Sequence, residues 1–187
     1  MKALAAAALL AVPFSEFEKV LAPGPLWPLD SGDASLTVLR RPEDRYPKLY
    51  RLDHETKEFR LVLDAGGPLR DLWRDDQGDA WYFRMDEGGD ENYRVYRLSE
   101  DFRRKSEVYG RKGARASLVD ASQDGKRLYL LSNHEDKAVF RLYRYEPATG
   151  REEALSPPGL SVDEALVDLY ERRAALTSAA GNNEVRV

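Results

Sequence analysis

The chain contains no cysteine. That excludes disulfide staples, thiolate metal sites and cysteine nucleophiles, and it is compatible with a reducing compartment. Histidine is scarce: His54 and His134 are the only two, so a metal site at either could draw on one other imidazole. No basic block or stripe is present. Lys+Arg number 29 against 33 Asp+Glu, the signs are interspersed and the net charge is -4, which argues against a nucleic-acid partner. Ala3 to Val12 is an apolar run of ten residues, about half of what a membrane span needs, so none is expected. The chain also lacks a G-x-S-x-G nucleophile elbow, a phosphate loop and a dinucleotide fingerprint. No segment carries a β-α-β rhythm, so a parallel sheet is not expected.

What is present reads as a folded, soluble domain: 42% of residues are hydrophobic and 33% charged. The alanine-rich start favours helix, Pro13 ends it, and Ser15-Glu16-Phe17-Glu18 resembles a capping box for a second short helix to about Leu21. Residues 1–22 are therefore expected to form a helical lead-in. The alternative is the hydrophobic region of an export signal. A cytoplasmic location goes with the first reading and an exported one with the second.

A sequence unit then recurs. Leu49-Tyr50-Arg51-Leu52-Asp53, Val95-Tyr96-Arg97-Leu98-Ser99 and Leu142-Tyr143-Arg144-Tyr145-Glu146 stand 46 and 47 residues apart, each preceded by a second apolar segment. Ala174-Ala175-Leu176-Thr177 and Val185-Arg186-Val187 begin the pattern again. Within unit two, strands are predicted at Leu69–Trp73, Ala80–Arg84, Tyr93–Leu98 and Lys105–Tyr109. In unit three they fall at Ala116–Val119, Lys126–Leu131, Val139–Tyr145 and Glu152–Leu155. Gly32, Gly125 and Gly150 lie in the intervening turns, where tight hairpins need positive φ. Four-stranded antiparallel units at this period predict an all-β chain. The architecture expected is a partial β-propeller of about three and a half blades, near 23–66, 67–112, 113–159 and 160–187, the last cut short.

Ser122-Gln123-Asp124-Gly125-Lys126-Arg127-Leu128, running on to Ser132-Asn133 and then Leu142-Tyr143 and Thr149-Gly150, resembles the blade of TolB-like propellers. Asp86-Glu87-Gly88-Gly89-Asp90-Glu91-Asn92-Tyr93 and the strand after it are similar to an early blade of the prolyl oligopeptidase family, which includes the acylaminoacyl peptidases. The resemblance covers about residues 26–187. It implies a propeller that covers a serine-hydrolase active site and filters peptide substrates. The hydrolase domain of that family is absent, so no catalytic residue carries over and the chain itself is not expected to be an enzyme. Its implied partner is a hydrolase domain or a second propeller half. The alternative is a stand-alone binding module in which two copies close one ring, since open sheet edges invite pairing.

The loops joining second to third strands are long and polar, and function on rigid scaffolds concentrates on such loops. Asp86, Asp90, Glu91, Asn92, His134 and Asn183 are the candidate binding residues on that face. Carboxylates around Gly88-Gly89 could hold Ca²⁺, but their spacing misses the EF-hand pattern, and a solvated acidic loop is the expectation. His134-Glu135-Asp136 is expected in a surface loop. Trp27, Trp73 and Trp81 could form a stacking surface, but strand positions favour packing for Trp73 and Trp81. No cofactor, metal or catalytic residue is assigned.

Overall fold

A computed structural model describes residues 25–74, 80–99, 101–168, 173–180 and 184–186. The expected helical lead-in, residues 75–79 and Asn183 lie outside them. Among the described residues, fifteen strands form four antiparallel sheets. The first sheet holds β1 (Leu26–Pro28), β2 (Ala34–Leu39), β3 (Lys48–Asp53) and β4 (Phe59–Leu63). The second holds β5 (Leu69–Arg74), β6 (Trp81–Met85), β7 (Arg94–Leu98) and β8 (Lys105–Tyr109). The third holds β9 (Ala116–Ala121), β10 (Leu128–Asp136), β11 (Val139–Glu146) and β12 (Arg151–Ala154). The fourth holds β13 (Glu164–Val167), β14 (Ala174–Ala180) and β15 (Glu184–Arg186). Each sheet runs in sequence order, so every connection within it is a hairpin. The first strand of a sheet packs beside the sheet before it: β5 against β2, and β9 against β6 and β7. This is a partial β-propeller. Among the described residues no helix is long and apolar enough to cross a membrane.

Three apolar layers lie between successive sheets. Leu36, Leu49, Leu72, Phe83 and Tyr96 fill the first, Tyr82, Val95, Tyr109, Leu128 and Leu130 the second, and Tyr129, Leu131, Leu142 and Val162 the third. Alternation along each strand sends successive residues to opposite faces, so Tyr96 serves one layer and Val95 the next. Trp81 is buried and Trp27 packs against the same layer, while Trp73 packs against the second. The tryptophans are structural first.

Repeated bonds stitch the sheets together. Leu69, Ala116 and Val162 each donate a backbone N–H to Pro47, Tyr93 and Phe140 of the preceding unit, at 3.3, 2.8 and 2.8 Å. The turns after third strands share one left-handed residue: Lys57 (φ 60°), Phe102 (φ 59°) and Gly150 (φ 72°). Only the third is the glycine such backbone favours. Phe102 offsets the strain by setting its ring edge-on to Trp81, 6.3 Å between centroids.

Candidate functional site

The connections 40–47, 86–93 and 137–138 emerge at the same end of the sheets as the links into β5 and β9, which makes this end the loop face. Below it, a cation, a carboxylate and a tyrosine recur in each complete unit. Asp44 takes a hydrogen bond from Tyr50 Oη at 2.7 Å and pairs with Lys48 at 2.9 Å. Glu87 takes one from Tyr96 Oη at 3.0 Å and pairs with Arg94 at 3.0 Å. Arg141 pairs with Glu135, whose charge acts on Tyr143. Burial first, and then the neighbouring carboxylate, pushes each of the three phenols up to about 12.

These pairings occupy most of the acidic loop. Glu91 is bound to Arg115 at 2.8 Å, and Asp90 accepts two bonds from Asn92 at 2.9 Å. The Asn92 amide holds the Asp90 carboxyl below its usual range. Among the described residues no three histidine or acidic side chains converge on a point where a cation could sit.

Asp86 is buried. Its Oδ2 accepts from the Glu91 N–H at 3.2 Å, but its Oδ1 has no partner among the described residues. The repeat explains the orphan. Asn133 stands 47 residues later, and its Oδ1 accepts from the Arg115 N–H at 2.7 Å. The residue equivalent to Arg115 is Pro68, which has no N–H to give. The chain runs close here, since a Cβ on Gly67 would lie 2.7 Å from the Asp86 carbonyl oxygen. Restoring the donor with Pro68→Ala should stabilise the protein by about 1 kcal/mol. A hydrogen bond to a charged acceptor contributes about 1.5–3 kcal/mol, and losing proline costs about 0.4–1 through the unfolded chain. Urea unfolding checks this, and a destabilised variant would refute the explanation.

His134 is not in a loop. β10 runs on through an irregularity to Asp136, which pairs with Val139, so His134 is a strand residue facing the second sheet. Polar composition made the segment read as a loop, but the ladder continues because a tight turn follows Asp136. There His134 Nε2 lies 3.1 Å from Glu152, and its Nδ1 lies 3.3 Å from both Tyr109 Oη and Ser132 Oγ. Burial, and then a hydrogen bond to Glu152, pushes Tyr109 far above the usual phenol range. Serine, histidine and carboxylate thus meet, but Ser132 is fully buried. Ser35 Oγ also lies 2.8 Å from His54 Nε2, with His54 Nδ1 at 3.0 Å from the Gly32 carbonyl, and Ser35 is buried too.

A cleft on the loop face, between the first two sheets, was not legible in the sequence. It has a volume of about 490 Å³, and Trp27, Val38, Arg40, Arg70, Trp73 and Arg84 are among the residues lining it. β5 bulges between Arg70 and Leu72, with Asp71 at φ 46°. Non-glycine residues seldom adopt this conformation, and bulges commonly re-aim side chains beside functional sites. Asp71 pairs with Arg84. The Arg70 and Arg84 guanidinium groups sit over Tyr93 at 5.7 and 5.2 Å. Arg40 and Arg70 are exposed, and neither has a carboxylate partner among the described residues. The signal was faint: single arginines in separate units, inside a chain of net negative charge.

No family model matches the chain, and no curated protein does. Solved structures do. TolB from Acinetobacter baumannii superposes with a TM-score of 0.59 at 17% identity, over 89% of this chain and 39% of its own. A putative TolB from Agrobacterium tumefaciens gives 0.61 at 14%, over 81% and 52%. The fold is that of a TolB-like propeller. Puromycin hydrolase matches with a TM-score of 0.60 at 15% identity, over 76% of this chain and 25% of the hydrolase. The chain therefore spans between a quarter and about half of these proteins. The bulged strand and the cleft belong to this propeller's first two blades.

Proposed function

We propose that the chain is a non-catalytic propeller interaction module whose ligand side is the loop face, centred on the cleft between the first two sheets. The observation that carries this is the contrast between two kinds of site. In both serine–histidine contacts the serine is buried, so its oxygen is not presented to a substrate. The cleft is open, aromatic at its walls and supplied with unpaired cations. Its volume falls in the range of small-ligand pockets, about 300–1,000 Å³. The finer reading, a propeller that covers a hydrolase domain and sorts peptides, is supported by the likeness to puromycin hydrolase over a quarter of that protein. In either reading the described blades bind and do not cleave. Incubation with peptide and ester substrates should give no turnover above buffer, with or without a serine-directed inhibitor. Turnover that the inhibitor abolishes would refute the proposal.

A further inference from the structure

We infer that the cleft between the first two sheets is a carboxylate-binding site, which takes a small organic acid by its anionic group and seats the apolar body against Trp27. This rests on the reading of the loop face as the ligand side, and it adds the ligand's chemical class.

The argument begins with charge. Three arginines and one aspartate line the cleft, although the chain as a whole carries -4. Arg84 and Asp71 form an ion pair, leaving Arg40 and Arg70 as the lining cations without a carboxylate partner among the described residues. They come from different sheets: Arg40 follows β2, and Arg70 is the second residue of β5. Two guanidinium groups on opposite walls suit one planar anion, because each presents a flat fork of N–H donors that a carboxylate accepts. The Arg70 guanidinium lies over the Tyr93 ring, 5.7 Å from its centroid, a contact that favours this placement before a ligand arrives. The Arg84–Asp71 pair ties the bulge to β6 and keeps the only lining carboxylate off the free arginines.

Shape comes next. Trp27 is half-buried against the first apolar layer, with its remaining edge in the cleft beside Val38 and Leu69. Such a wall favours an aromatic or branched apolar group. A ligand carrying one carboxylate and one apolar body uses both features; a dianionic phosphate would leave the tryptophan wall uncovered.

The test uses the whole chain and a matched pair of probes, N-acetylphenylalanine and its uncharged carboxamide, in titration calorimetry. The acid should bind at about millimolar affinity or better, as expected for a ligand of this size, and at least about ten-fold tighter than the amide. Arg40→Ala with Arg70→Ala should erase that preference while leaving the melting temperature unchanged, since both side chains are exposed. Should the double variant misfold, the wild-type preference still decides, because it should shrink between about 50 and about 500 mM salt. Equal binding of acid and amide would overturn the carboxylate assignment while leaving the loop face as the ligand side. No binding of either probe at a concentration about ten times the expected dissociation constant would overturn the site itself. Neither result touches the non-catalytic reading, which the turnover assay judges separately.

Discussion

Phe83→Ala is expected to lower the unfolding free energy by about 3–5 kcal/mol. Phe83 is fully buried in the layer between the first and second sheets and stacks on Tyr96, with centroids 5.5 Å apart and planes 16° from parallel. Leu36 and Leu49 come from the facing sheet, and Trp81 and Met85 flank it on its own strand. Both walls of the cavity would be hydrogen-bonded sheets, which cannot collapse inward without breaking their ladders. The cost should therefore fall in the upper part of the range for large-to-small changes. Stacked units are stabilised chiefly by their neighbours, so the damage should be local. Hydrogen exchange should show β2, β3, β6 and β7 losing protection while β10 and β11 lose less. A denaturation shift below about 1 kcal/mol would mean the layer is loosely packed, contrary to its burial.

Asp44→Ala should cost about 2–3 kcal/mol. The carboxylate is buried, and it satisfies Tyr50 Oη, the Arg41 N–H at 3.2 Å and Lys48 at once. Removing it leaves a buried hydroxyl and a backbone donor unpaired, with only Asp64 left to Lys48. Burial by itself would raise the Asp44 carboxyl; the Lys48, Tyr50 and Arg41 bonds outweigh it and hold the group below its ordinary value. A carboxyl depressed in the folded state stabilises at pH values above its unfolded pKa, about 3.9. That contribution is lost as the pH falls through the lower folded value. Stability should thus drop below about pH 4, and Asp44→Asn should flatten the acid limb. Glu58→Gln is the control: Glu58 and its partner Arg60 are both exposed, and such pairs contribute about 0–1 kcal/mol. An unchanged acid limb in Asp44→Asn would sink the account.

The blades were legible because they obey local rules. Tyr50, Tyr96 and Tyr143 mark third strands, and the turn glycines Gly125 and Gly150 have the left-handed φ that their positions demanded. β8 matches its predicted bounds, and β5, β7 and β11 differ by one residue at one end. The candidate site was harder to see. Asp90, Glu91 and Asn92 are on the expected face but bind one another or Arg115, while Asp86 is buried beneath them. His134 is in a strand, because a polar segment that pairs across a tight turn reads the same in sequence as one that does not.

The amino-acid order alone determined that this chain makes antiparallel four-stranded units and stacks them, since alternation, turn chemistry and repeat length act over a few residues at a time. Only the tertiary structure decided which side chains share a wall. Arg40 and Arg70 lie thirty positions apart in the sequence, and what joins them is the packing of the bulged β5 beside β2 of the first sheet. Contacts of that kind depend on register and packing between units, which no local pattern encodes.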